Sequence, residues 1–215
     1  MWHKATHKRK VKGILLRHLY ILALSHKFMI LNPEEFKAIE KHLEQFEEKR
    51  EETISKSRDI IKTSKLIIYA LQRDDLSTAT KHIEVIKKQI KALSQQKYDT
   101  NMDVVALQEY VEAVTFYHFV KEKKIPTRKQ LNVSAEAYLL GLCDLTGELV
   151  RKAVNAVINK KPKEALQCKE LCEEIYGQFL QFNLRNGELR KKADSIKWNL
   201  QKLESIIYDM HMKRV

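Results

Sequence analysis

Four carboxylates stand at helical spacing in two apolar segments of this 215-residue chain. Glu109 and Glu112 lie three residues apart in LQEYVEAVTFYHF, and Asp144 and Glu148 lie four apart in LLGLCDLTGEL. Spacings of three and four bring both members of a pair to one face of a helix. Acidic side chains on an otherwise apolar face are costly unless a positive charge compensates them, and hard cations such as Mg²⁺ are bound by carboxylate oxygens. The spacing therefore indicates a metal site shared by two helices, with two solvated helix faces as the alternative.

Other metal chemistries fit the sequence less well. A ferritin-like di-iron site needs Glu-x-x-His on two helices, and Thr115 and Gly147 stand where those histidines would fall. The three cysteines form no Cys-x-x-Cys pattern, so we interpret them as reduced thiols of a cytoplasmic protein. They are Cys143, Cys168 and Cys172.

The elements that must position the four carboxylates are helices. The chain has only 5 Gly and 3 Pro and long stretches of helical periodicity, which predict an all-α bundle of about six to seven helices. Asn32-Pro33 followed by two glutamates is a strong helix start, and this first helix is predicted to run some 40 residues, toward Arg73. Further helices are predicted over residues 76–96, 102–123, 134–159, 162–183 and 188–210. Antiparallel packing of the helices that carry the two acidic pairs would join the pairs in the bundle core.

The chain is strongly basic, with a formal net charge of +12. Such a charge favours polyanionic partners, nucleic acid first and an anionic membrane surface second. Residues 1–28 contain seven Lys and Arg and no acid, so we interpret them as a basic N-terminal arm or a spurious extension upstream of Met29. Residues 29–215 are predicted to form a single domain. The most apolar run, residues 14–24, is broken by Arg17 and is too short to span a membrane.

A second charged feature lies on the long first helix. Arg58, Lys62 and Lys65 follow the i, i+4, i+7 rule and form one basic stripe, and Arg73 lies further along the same helix. We predict that these four residues contact RNA. The alternative is a surface face neutralised by salt bridges with nearby acids.

Several long segments resemble one known family, formed by translin and its partner, translin-associated factor X. LQEYVEAVTFYHFVK and YLLGLCDLTGELVRKAVNAV resemble the two segments of translin-associated factor X that contain its metal-binding acids. SRDIIKTSK resembles the basic part of the family's first long helix, and FNLRNGELRKKADSIKWNLQKLESIIYDM is similar to the C-terminal helix of translin. The resemblance extends from about Glu34 to Lys213.

The resemblance implies a function. In this family translin-associated factor X is the nuclease, and translin, which is catalytically silent, lacks the acidic pairs. Since this chain keeps all four positions, the resemblance implies an endoribonuclease for single-stranded RNA, with Glu109, Glu112, Asp144 and Glu148 as catalytic ligands of Mg²⁺ or Mn²⁺. Arg151, about one turn beyond Glu148, is expected to contact the phosphate.

The resemblance also implies an assembly. We expect a homo-oligomer, an octameric shell, and a separate translin-like subunit as an open alternative. The short connection over residues 124–133 and the translin-like C-terminus suggest an archaeal or other single-gene form. Two other functions stay open: a non-catalytic scaffold that binds single-stranded RNA or DNA, as translin does, and a purely structural helical adaptor.

Overall fold

The computed structural model describes residues 30–93 and 98–212, and within these ranges all regular secondary structure is helical. The all-α prediction is therefore confirmed. The basic arm predicted over residues 1–28 lies outside the described residues. The helices are α1 (Pro33–Gln72), α2 (Leu76–Ala92), α3 (Met102–Glu122), α4 (Arg128–Leu131), α5 (Ala135–Ile158), α6 (Pro162–Phe179) and α7 (Glu188–Met212).

The helix ends follow from local hydrogen bonds. The Asn32 side chain accepts a bond from the backbone N–H of Glu34 at 3.0 Å, which caps the start of α1. Asp74 adopts a left-handed backbone conformation with φ of 61° and ends α1, and Asp75 caps α2 by accepting from Thr78 N–H at 2.9 Å. Helix α4 was not predicted, because four residues are too few to show a helical period.

The chain divides into two compact units between Glu48 and Lys49, inside the continuous helix α1. In the first unit, apolar side chains of α1 such as Phe36 and Leu43 are exposed. The second unit is a helical bundle in which α5 packs against α3, α6 and α7, and α2 packs against α3. Its largest fully buried side chains include Ile60, Ile67, Ile83, Phe116, Leu145, Leu149, Ile196 and Leu203.

A buried lysine ties the end of α1 to α5. Lys152 is only 5% exposed, and its ammonium donates to the carbonyl of Leu71 at 2.8 Å and forms an ion pair with Asp74. Asp74 also pairs with Lys161 at 2.6 Å, and hydrogen bonds from the two lysines hold the pKa of Asp74 below its ordinary value. A buried ammonium needs such partners. This network fixes the last turn of α1, including Gln72, against α5.

Helices α3 and α5 approach most closely at Gly141. A β-carbon added there would lie 2.6 Å from the Val111 Cβ and 2.8 Å from the carbonyl oxygen of Gln108. These distances are too short for any larger residue unless the helices move apart. Asp144 lies one turn further along α5, so the contact at Gly141 sets how near its carboxylate comes to α3. Among the described helices none is long and apolar enough to cross a bilayer.

We predict that Gly141→Ala destabilises the protein by about 1–3 kcal/mol, because the added methyl group overpacks the contact between the two helices. Gly177→Ala is the matched control, since a β-carbon at Gly177 would meet nothing within 4 Å. Its expected effect is a gain of up to about 1 kcal/mol from helix propensity. Urea unfolding followed by circular dichroism measures both changes. Equal stability of the two variants would contradict the close packing.

Candidate metal centre

The four predicted acids converge between α3 and α5. Glu112 is 8% exposed, and Glu109, Asp144 and Glu148 are partly buried. Burial raises the pKa of Glu112 to about 9, and the negative charges of Asp144, Glu109 and Glu148 add to this effect. The four acids therefore lie within electrostatic reach of one another, on the two helices where the sequence predicted the acidic pairs.

The electrostatics of Glu109 connect this site to two lysines. Burial raises the pKa of Glu109, and the charge of Lys65 on α1 opposes that shift. Asp144 and Glu148 raise the pKa further, whereas Lys192 on α7 lowers it. Glu109 therefore lies within electrostatic reach of the basic stripe on α1 and of the C-terminal helix.

Asp144 has the most complete set of partners. The ammonium of Lys192 lies 2.8 Å from its Oδ1 and 2.7 Å from its Oδ2. The side-chain amide of Gln108, which is buried on α3, also donates to Oδ2. Both oxygens of Asp144 are thus engaged by side chains from two neighbouring helices.

Glu148 is held by the end of α1. The buried amide of Gln72 donates to the Glu148 Oε2 at 2.7 Å and to the Glu148 backbone carbonyl at 3.0 Å. Asn155, two turns further along α5, donates to the Gln72 Oε1 at 3.3 Å, which fixes the direction of the amide. Arg151 lies 3.7 Å from Glu148 Oε2 with its side chain exposed, next to the site as the resemblance implied.

The donor set fits a hard divalent cation. Four carboxylates supply oxygen ligands. The raised pKa of Glu112 and of Glu109 shows that their ionised forms are unfavourable here, so a bound positive charge would stabilise the site. Over residues 30–93 and 98–212, no three Asp, Glu, His or Cys side chains already stand as a ready-made ligand group. Coordination at this site would therefore need these side chains to move.

The predicted RNA-binding residues lie on an exposed face of α1. Arg58, Lys62 and Lys65 line an open groove together with Leu66, Tyr69 and Met102. Within the described parts of the chain, none of these three cations forms an ion pair, so their charge is not neutralised by salt bridges there. Arg73 lies over the ring of Tyr69 and donates to its hydroxyl at 3.1 Å.

Three residues of the site were not predicted. Gln108 and Gln72 occupy buried helical positions where an apolar side chain is expected, and that mismatch was a usable signal. Lys192 stands in a lysine pair among many charged residues of α7, and only the packing of α7 on α5 brings it to Asp144.

We predict a pH dependence of stability that Glu112 causes. Its pKa is higher in the folded chain than in the unfolded chain, so the folded chain holds the extra proton between about pH 4.5 and pH 9 and loses stability as pH rises through that range. Without metal at pH 8, Glu112→Gln should be more stable than the parent by about 1–3 kcal/mol, and the gain should disappear near pH 5.

Urea unfolding in chelator at several pH values measures this difference. Glu136→Gln, an exposed acid on α5, is the control and should change stability by less than about 0.5 kcal/mol at each pH. If Glu112→Gln changed the stability by the same amount at pH 5 and at pH 8, the raised pKa of Glu112 would be contradicted.

Solved structures resemble this fold. The crystal structure of apo-NeC3PO is 31% identical and covers 83% of this chain and 97% of its own, with a TM-score of 0.76. A complex of AfC3PO with duplex RNA is 23% identical over 84% of this chain and 98% of its own, with a TM-score of 0.78. At that identity the second likeness concerns the fold alone.

Sequence relatives give the family. Translin-associated protein X of Mus musculus is 27% identical over 83% of this chain and 78% of its own length. An uncharacterised protein of Methanocaldococcus jannaschii is 27% identical over 88% of this chain and 92% of its own. The Translin family profile matches residues 48–214, which include all four acids. The resemblance read from the sequence is confirmed, and the chain belongs to the translin family.

Proposed function

We propose that this chain is a metal-dependent endoribonuclease that cleaves single-stranded RNA. The observation that carries the proposal is that four carboxylates of α3 and α5 lie within electrostatic reach of one another. Burial first, and then the charges of the other three acids, raise the pKa of Glu112. Membership of the translin family supports RNA as the ligand, and a protein of the same fold was solved in complex with duplex RNA. The exposed basic stripe on α1 supports it independently.

The proposed ligands of Mg²⁺ or Mn²⁺ are Glu109, Glu112, Asp144 and Glu148. When bound, such an ion supplies positive charge to the scissile phosphate and lowers the pKa of a water molecule. The protein's own part is to hold the carboxylates at one place. Gln72 orients Glu148 from α1, and Gln108 orients Asp144 from within α3. Such outer partners commonly matter to metal sites nearly as much as the ligands.

The basic stripe gives the RNA a path to this site. Arg58, Lys62 and Lys65 are spaced along one face of α1, and Lys65 lies within electrostatic reach of Glu109. A strand bound along the stripe therefore passes the acidic pocket. Tyr69, which is 54% exposed beside Arg73, adds an aromatic face on which a base of a single strand can stack. We assign Arg151 beside Glu148 to the phosphate.

The proposal includes self-assembly. Large apolar side chains are exposed on α7, among them Trp198, Tyr208 and Met212, and others are exposed on the first part of α1. Exposed apolar surface of this kind is typical of protein interfaces. We propose a homo-oligomer, an octamer by analogy with the family, with a translin-like subunit as the other candidate partner. The three cysteines are free and buried, which suits the reducing cytoplasm.

The second candidate function is a non-catalytic RNA-binding scaffold. One observation favours it: the Lys192 ammonium pairs with Asp144, so the chain itself supplies a positive charge to the acids. In that case the acids and Lys192 would form a structural ion cluster, and RNA binding would depend on the stripe alone. Cleavage assays separate the two functions.

We predict that Glu112→Gln and Asp144→Asn each reduce cleavage of a labelled single-stranded RNA by more than about a hundredfold, since loss of a ligand should exceed the effect of losing an outer partner. RNA binding, measured by fluorescence anisotropy, should stay within about twofold of the parent because the stripe is unchanged. Chelator should stop cleavage by the parent, and Mg²⁺ or Mn²⁺ should restore it.

Glu136→Gln is the matched control for this experiment, and it should cleave as the parent does. A perfect RNA duplex in parallel tests the preference for single strands. Full activity of both site variants would refute this site, and full activity in excess chelator would refute the metal dependence. No cleavage by the parent with Mg²⁺ or Mn²⁺ would leave the scaffold.

We predict that replacing Lys62 and Lys65 together by Gln lowers RNA affinity and flattens its salt dependence. Each phosphate contact on a single strand contributes about 0.7 to the slope of log affinity against log salt, so the slope should fall by about 1.4. The control replaces Lys163 and Lys202, exposed lysines of α6 and α7, and removes the same charge. Equal slopes for the two double variants would place the RNA elsewhere.

A further inference from the structure

Lys192 forms the best-defined ion pair of the acidic site. Its ammonium lies 2.8 Å and 2.7 Å from the two oxygens of Asp144, and the two side chains are 29% and 27% exposed. Paired distances this short are typical of charge-assisted hydrogen bonds. Because both side chains are partly shielded from water, solvent screens their attraction less than it screens that of a fully exposed salt bridge.

The charge of Lys192 acts on more than Asp144. It also opposes the raised pKa of Glu109 and of Glu112. Lys65 and Lys192 are the positive charges that lower the pKa of Glu109, and Lys65 is exposed on α1. Lys192 on α7 is therefore the lysine in direct contact with the carboxylate cluster, while Arg151 lies 3.7 Å from Glu148 on α5.

We propose that Lys192 is the built-in counter-cation of the acidic site and competes with a divalent cation for Asp144. This inference rests on the proposed function. A divalent ion bound to either oxygen of Asp144 would lie beside the Lys192 ammonium, and two cations on the same carboxylate repel each other. Binding of the metal is therefore opposed as long as the ammonium stays on Asp144.

The structure makes this release feasible. Lysine bears its charge on a flexible four-carbon stem, and the partial exposure of Lys192 gives the ammonium a route to water. Gln108 stays as a donor to Asp144 from within α3 and keeps its carboxylate oriented. Lys192 thus acts as a positioning residue that protects the metal-free site against its own repulsion and sets the apparent metal affinity.

The test measures Mn²⁺ binding without RNA. Lys192→Met keeps an unbranched side chain of similar length and removes the charge, and Lys191→Met, an exposed neighbour on α7, is the matched control. Titration with Mn²⁺, followed by the electron paramagnetic resonance signal of free ion, gives the dissociation constants. We expect Lys192→Met to bind Mn²⁺ on the order of tenfold more tightly than the parent, since a charge-assisted contact no longer has to be broken. Lys191→Met should bind as the parent does.

A measurement on the unaltered chain complements the variants, in case Lys192→Met fails to fold. The rate at which an amine-reactive reagent modifies Lys192, followed by mass spectrometry, should rise several-fold when saturating Mn²⁺ is added. Lys191 is the internal control and should react at the same rate with and without the ion.

The outcomes separate the two hypotheses. If the parent binds Mn²⁺ and Asp144→Asn abolishes binding, but Lys192→Met binds no more tightly than the parent, the counter-cation role is wrong and the metal site stands. An unchanged reaction rate of Lys192 under saturating Mn²⁺ would likewise refute the counter-cation role alone. If the parent binds no Mn²⁺, or Asp144→Asn binds it equally well, the proposed metal site fails and the counter-cation role fails with it.

Discussion

Repulsion among the four partly buried carboxylates of α3 and α5 is the constraint on which the rest of this structure depends. Burial together with three negative neighbours raises the pKa of Glu112 to about 9. A fold that served stability alone would place apolar residues at these positions, since packed hydrophobic side chains at such sites are commonly neutral or stabilising. The chain instead supplies three hydrogen-bond donors to the acids: Gln72 on α1, Gln108 on α3 and Lys192 on α7. Positions that oppose stability in this way are typical of functional sites.

The bundle is arranged so that these donors reach the acids. The absence of a side chain at Gly141 lets α5 pack closely against α3, and hydrogen bonds of the buried Lys152 hold the end of α1 against α5. Because Gln72 is the last residue of α1, the hydrogen bonds of Lys152 also fix the position of Gln72, which donates to Glu148. The same helix presents the basic stripe on its exposed face, so one element both supports the acidic pocket and bears the surface proposed to bind RNA.

Much of this arrangement was predictable from the sequence, and the rest depends on contacts distant along the chain. Helical spacing identified the two acidic pairs, and Asn32-Pro33 and Asp74-Asp75 set the limits of α1 because capping chemistry is local. Gly141 offered no such signal, since a glycine within a helix does not reveal which neighbour approaches it. Lys192 reaches Asp144 across 48 residues, and nothing in the local pattern of α7 distinguishes it from Lys191. The four-residue helix α4 was missed because it is shorter than any helical period that can be recognised.

Whether the carboxylates of α3 and α5 form a divalent-metal site decides between a nuclease and a scaffold. Anomalous diffraction from crystals of the protein grown with Mn²⁺ tests this most directly, because the ion itself is located. We predict an anomalous peak between α3 and α5, about 2.0–2.3 Å from oxygens of Asp144 and Glu112 and of at least one other acid of the four, with the Lys192 ammonium moved away from Asp144. A map with no peak there at saturating Mn²⁺, and with the ion pair between Lys192 and Asp144 intact, would contradict the metal site.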